Sequence, residues 1–215
     1  SVEAFERTDT TEIPGNYKTI ALVRPTDTIN ASHLDQLDRF LARGGNIFMA
    51  LNRVEGDFQA AEGRTVTTGL EDWLKNKGVT ISDNFVIDAR CGAVTVQQQQ
   101  SNVVMTTQVS FPYLPVISKF ADNPVTRGLE SVVLQFASPI TFAGDTTKKF
   151  TPIAFSSSQS GTARAPLYFD VQRQWTDNDF PMSGITVAGI LEGKLSGTTN
   201  SKIILVSDGD FPVNG

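Results

Sequence analysis

The chain has 215 residues but only one cysteine and one histidine, and no dense cluster of lysine or arginine. A single Cys cannot build an internal disulfide framework, and with one His it cannot assemble a Cys- or His-rich zinc site. The formal net charge of −5, without a visible basic face, argues against a duplex-binding protein, so no nucleic acid partner is expected. No run of about 18 or more apolar residues occurs, the length a membrane-crossing helix requires. The chain also lacks a Gly-x-Gly-x-x-Gly fingerprint, a phosphate loop ending in Gly-Lys-Ser/Thr and a Gly-x-Ser-x-Gly nucleophile elbow. Neither a signal peptide nor an initiating Met precedes Ser1, and the chain stops at Gly215 soon after an apolar strand. It therefore reads as a segment of a longer protein.

What is present suits a packed core. Hydrophobic residues make up 40% and charged residues 19%, while 17 Gly and 10 Pro imply many turns and argue against an all-helical bundle. The most informative stretch is Ile29 to Leu51, INASHLDQLDRFLARGGNIFMAL. Leu34, Leu37, Phe40 and Leu41 recur at helical spacing and form one apolar stripe. Asn30 or Ser32 can cap the first turn, and Gly44 can take the left-handed conformation that ends a helix. Arg43 places positive charge at the negative end of the helix dipole. Ile47 to Leu51 then reads as a short strand covered on both faces.

Residues 1–17 are polar and read as an N-terminal arm, followed by one α/β domain over residues 18–215. Thr19 to Val23 is a strand closed by Arg24-Pro25. Residues 52–67 are polar and form a lid-like loop. Thr68 to Lys77 carries Leu70, Trp73 and Leu74 on one stripe, with Thr68 and Glu71 spaced as a capping box. Phe85 to Ile87 is the third strand. This strand-helix alternation implies a mostly parallel sheet flanked by helices. The second half reads as β-rich and irregular, with an insertion around residues 93–120 and an irregular aromatic segment at 162–184. Phe111-Pro112-Tyr113-Leu114-Pro115 is expected to break the chain. The aromatic segment, with Tyr168, Phe169, Trp175 and Phe180, suits either a docking surface or a group pinned to the core.

In an open parallel sheet, ligands bind beyond the carboxyl ends of the strands. Asp27, Arg53, Asp88, Arg90, Asp208 and Asp210, with Arg24, follow strands and are the candidate ligand-binding residues there. Such carboxylates could hold Mg²⁺ or Ca²⁺, or could simply be turn residues. Arg90 could lower the pKa of Cys91, but no nucleophile elbow surrounds that Cys. No catalytic residue, metal ligand or cofactor is assigned.

Several stretches, in order, resemble one family. Leu34 to Leu51 is similar to the helix-Gly-Gly-strand signature of the auxiliary extracytoplasmic component of gliding-motility-type ABC transporters (GldG-like). Ile20 to Pro25 resembles its first strand. Residues 69–74, 78–79 and 84–88 resemble its second helix and a strand ending in Asp. Asn123-Pro124-Val125-Thr126-Arg127-Gly128-Leu129, residues 187–193 and residues 201–211 resemble its later elements. The resemblance implies a flavodoxin-like or class I amidotransferase-like α/β domain outside the cytoplasmic membrane, in the periplasm and held by anchors. It further implies work beside an ABC permease and an ATPase, with no enzymatic activity established for the family. The expected role is to bind a transporter partner or an extracytoplasmic ligand such as a glycan or peptide. The alternative is an enzyme, small-molecule-binding or hydrolytic, using the strand-end carboxylates.

Overall fold

The helix that the sequence marks most clearly forms as its residues dictate. In the computed structural model, which describes residues 12–100 and 103–213, α1 spans Ala31–Ala42 after β1, Thr19–Val23. The Asn30 side chain accepts a hydrogen bond from the His33 amide at 3.0 Å. Beyond Arg43 the chain reverses through Gly44 at φ 87°, a conformation that favours glycine. Gly45 is required for space, because a Cβ there would lie 2.4 Å from the Phe40 ring. The Arg43 guanidinium reaches back to the carbonyls of Ile13 and Pro14 and so docks the described end of the N-terminal arm. Residues 1–11 of that arm lie outside the described residues.

The remaining elements in chain order are mostly strands. They are β2 (Asn46–Ala50), β3 (Val54–Asp57), β4 (Glu62–Thr65), α2 (Leu70–Lys75), β5 (Val79–Ile81), β6 (Asn84–Asp88), β7 (Cys91–Gln100) and β8 (Val103–Ile117). Then come β9 (Lys119–Phe120), β10 (Val132–Val133), β11 (Ile140–Phe142), β12 (Lys148–Phe155) and β13 (Ser160–Arg164). Last are β14 (Leu167–Tyr168), a 3-10 turn at Asp177–Asp179, β15 (Thr186–Gly193) and β16 (Ser201–Val206).

The main sheet has the order β1-β2-β16-β15-β12-β9. β1, β2 and β16 run parallel, whereas β15, β12 and β9 are joined to them antiparallel. Ile47, Met49, Ile203 and Leu205 point to one face, where they pack with Leu37, Phe40, Leu41, Trp73 and Leu74 of the two helices. The opposite face carries Ala188 and Val206, which pair directly, and is covered by Val86, Ile117, Leu134 and Ala137, residues of strands and loops. A third cluster is largely aromatic. Phe85, Phe111, Tyr113, Phe136 and Phe169 meet ring to ring, with centroids 4.9 Å apart for Tyr113 and Phe169 and 5.9 Å apart for Phe85 and Phe169.

The helix-flanked, mostly parallel, flavodoxin-like sheet does not form. Strand accounts for 43% and helix for 11%, in several small mixed or antiparallel sheets. The reason lies in the second face, which β-structure covers where a doubly wound fold needs helices. β6, expected as the third parallel strand, instead pairs antiparallel with β13, Phe85 opposite Ala163. The lid-like loop at residues 52–67 is largely the β3–β4 hairpin. Pro112 and Pro115 do not break the chain but lie within β8, near a register shift between Cys91 and Ala93 of its partner strand. Proline, lacking an N–H, is accommodated at such irregular positions. The aromatic segment divides: Phe169 and Phe180 are buried, whereas Tyr168 is 77% exposed.

Candidate functional site

The strand ends hold the candidate residues, and they separate into two groups. The first lies where β2 and β16 end together. Asp208 is fully buried and accepts hydrogen bonds from the backbone N–H of Gln135 at 2.6 Å and of Asp210 at 2.7 Å. Asp210 pairs with the Arg24 guanidinium at 2.8 Å and accepts a bond from Asn52 Nδ2 at 2.6 Å. The carbonyl oxygen of the same Asn52 side chain receives the Gly209 amide at 2.5 Å. Asn52 therefore ties the end of β2 to the last loop. Gly209 permits this close approach, since a Cβ there would lie 3.0 Å from the Arg24 Cα.

Burial pushes the Asp208 carboxyl up to about 6, with the Asp210 charge adding to the effect. The backbone amides of Asp210, Gln135 and Phe211 oppose the rise without cancelling it. Beside this group an open-sided cavity of about 370 Å³ is lined by Phe58, Leu114, Val133, Gln135, Phe211 and the two carboxylates, among others. Its walls are chiefly apolar, which suits contact with an apolar group more than chemistry on a charged one.

The second group is centred on Asp88 at the end of β6. This buried carboxylate accepts the Ser157 amide and the Ser157 hydroxyl, each at 2.7 Å, and the Arg90 amide at 2.8 Å. Arg90 turns away and donates to Ser118 Oγ. Arg53 donates to the carbonyl of Val66 and to Thr67 Oγ1 at 3.3 Å, so it pins the segment that leads from the β3–β4 hairpin to α2. Asp27 is exposed between β1 and α1. The structure thus brings Asp208 and Asp210 together with Arg24 and joins Asp88 to the Arg90 backbone, while Arg53 is tied to Val66 and Thr67 and Asp27 lies exposed on its own loop. Among the described residues, no group of three or more His, Cys, Asp or Glu side chains is placed to hold a metal ion.

Two roles were not read from the sequence. Asn52 stood in a polar stretch, and its one signal was its place directly after a buried strand. Ser157 lies in a Ser-Ser-Ser run with no motif around it, yet it supplies two of the donors on Asp88. Ser156 likewise serves structure: its hydroxyl lies 2.8 Å from Ser160 Oγ and accepts the Ile185 amide at 2.7 Å. Burial raises the Cys91 thiol above its ordinary value, with the Asp88 charge adding and a Phe111 backbone bond opposing. That is the reverse of what an activated nucleophile needs.

The strand-end charges of this mixed sheet are thus bound into neighbouring loops. Residues 1–215 match the family described as "ABC-type uncharacterized transport system". The chain belongs to this family, the auxiliary components of ABC-type transport systems. None of the curated proteins matches it. Among solved structures, the one titled "mmIFT52 N-terminal domain" aligns with a TM-score of 0.50 at 13% identity, over 88% of this chain and 66% of that one. That likeness is one of fold, and this chain spans just under two thirds of the length of its neighbour. Among the described residues, no helix is long and apolar enough to cross a membrane.

Proposed function

We propose that this chain is the extracytoplasmic, periplasmic accessory domain of an ABC transport system of the gliding-motility, GldG-like type. It acts without turnover, beside a permease and an ATPase, and is held at the inner membrane by anchors outside these residues. Its task is to bind a transporter partner or a glycan or peptide ligand. Family membership supports the transport setting. The observation that carries the binding role is the commitment of the strand-end charges to their own fold. Asp88 and Asp208 each accept at least two backbone hydrogen bonds while buried, and Asp210 is bound by Arg24 and Asn52. A reacting carboxylate must instead reach a substrate atom at hydrogen-bond distance.

The competing enzymatic reading has one point in its favour, the Asp208 carboxyl at about 6. Burial weighs against it, because Asp208 borders the cavity but is 0% exposed. The test is photocrosslinking in membranes from a cell that expresses the whole transporter. A crosslinker placed at Phe58 or Phe211, at the cavity mouth, is expected to capture the permease or a soluble ligand. Hydrolytic turnover by the isolated domain that drops to background in Asp208→Asn would overturn the reading.

A further inference from the structure

From Cys91 to Ser118 the chain contains no Asp, Glu, Lys, Arg or His, although charged residues are 19% of the whole. This uncharged stretch is the β7–β8 hairpin. Its register runs without interruption from Ala93 opposite Ser110 to Gln100 opposite Val103. Among the described residues β7 has a single neighbour, β8, in a sheet of order β10-β8-β7. Its outer edge therefore presents backbone N–H and C=O groups with no strand beside them. Thr95 and Gln97 on β7 are exposed, as are Thr106, Thr107 and Gln108 on β8.

Edge strands are ordinarily guarded by charge, by proline or by a bulge. Here the one irregularity lies at the base, between Cys91 and Ala93, and both prolines of the hairpin, Pro112 and Pro115, are also near the base. The outer part of β7 has none of these guards. Its side chains are Thr and Gln interleaved with Val, and a hydroxyl or amide both donates and accepts, so each is its own complement. With no charge of either sign, the strand carries nothing to select an oppositely charged partner. It also carries nothing to repel a copy of itself, although the chain as a whole is at −5.

We propose that the outer edge of β7 pairs with the same edge of a second copy of this chain. The pairing is antiparallel about a two-fold axis, the arrangement in which identical strands meet residue for residue. It joins the two three-stranded sheets into one continuous sheet across the dimer. The contact is a single strand edge about 33 Å long at most, taking roughly 3.3 Å per residue, so the dimer is weak and concentration-dependent.

Sedimentation velocity on the full chain, from about 1 µM to about 1 mM, tests this. A reversible dimer is expected. Thr95→Lys with Gln97→Lys places like charges across the two-fold axis and is expected to weaken the dimer at least about tenfold. Both positions are exposed, and an unchanged thermal midpoint verifies that the variant folds. A chain that stays monomeric throughout overturns the proposal. So does a dimer that survives the two lysines, or one that yields instead to Thr106→Lys with Gln108→Lys on β8.

Discussion

Replacing Asp208 by Asn isolates the buried carboxyl. In the unfolded chain this group has its ordinary value of 3.8, and in the fold burial raises it to about 6. Below 3.8 it is protonated in both states and folding carries no ionisation cost. Between the two values the unfolded chain ionises while the fold retains the proton, so stability falls as pH rises. Above about 6 the loss is complete. At roughly 1.4 kcal/mol per pH unit, the gap is worth on the order of 3 kcal/mol. Asn cannot ionise and escapes that loss, but its side chain has one carbonyl oxygen. It can accept from either Gln135 N or Asp210 N, which now approach separate oxygens at 2.6 and 2.7 Å. The other amide is orphaned at a cost of about 1–3 kcal/mol that does not vary with pH. The variant is therefore expected to be less stable than the parent near pH 3.5 and equal or more stable near pH 7. Urea unfolding of both proteins at about pH 3.5, 5 and 7 measures the difference, in which other carboxylates cancel. A difference independent of pH would refute a raised Asp208.

Three further outcomes follow from packing and charge. Lys77, 6% exposed, meets Asp38 at 2.6 Å and lies 4.2 Å above the Trp73 ring. Asp38→Asn is expected to cost about 2 kcal/mol at pH 7, less than a fully buried pair because the Asp38 side chain is 39% exposed. Burial raises the Asp38 carboxyl, but bonds from Lys77 and Ser196 and the Lys77 charge together hold it below 3.8, so the difference shrinks as pH falls past that value. Unfolding midpoints at pH 7 and pH 3 check both parts. Gly193→Ala would place a Cβ 2.3 Å from the Thr147 carbonyl oxygen at φ 129°, whereas Gly128→Ala at φ 84° enters open space. The first is expected to cost about 3 kcal/mol and the second about 1, and equal thermal shifts would contradict the close contact at Gly193. Cys91 is expected to react with iodoacetamide at pH 7.5 at least about tenfold more slowly than free cysteine, and an equal rate would remove the raised thiol.

The elements legible in the sequence were those with local causes. β1 and α1 follow from turn residues, caps and a stripe that lie within a dozen residues of one another, and the parallel set β1, β2 and β16 suits their apolar runs. Glu71 does reach back to the Thr68 amide, at 3.2 Å, but the helix starts one residue later than that spacing implies, with Gly69 as its cap and no side-chain bond there. Pairing across distance was not legible. The run Phe85 to Ile87 is equally suited to any buried sheet, and nothing local says that Ser160–Arg164, read as loop and irregular segment, is its partner. Asp88 ends β6 and Asp208 follows β16, the positions read from the sequence. Their chemistry turned on what faced them, and the Ser157, Gln135 and Asp210 amides come from loops whose path only the folded chain defines. The resemblance in motif order led to the auxiliary components of ABC-type transport systems, the level at which the family match agrees, and to the wrong architecture; the gliding-motility type belongs to the proposal alone. Shared helix-glycine-strand signatures describe the first half of the sheet, while β-hairpins decide the second.

The position of β16 has a mechanical consequence. It lies in the interior of the main sheet, hydrogen-bonded to β2 over five residue pairs, Lys202–Asn46 to Val206–Ala50, and to β15 from Ala188–Val206 to Gly193–Ser201. Tension applied along the chain beyond Asp210 loads both ladders in shear, and all their hydrogen bonds resist at once. The Asn52 bonds to Gly209 and Asp210 clamp the loop at the point where that load enters. β1, at the sheet edge, pairs among the described residues with β2 alone. Under a pull between the two ends of the domain, β1 is the strand that yields first and β16 the one that holds.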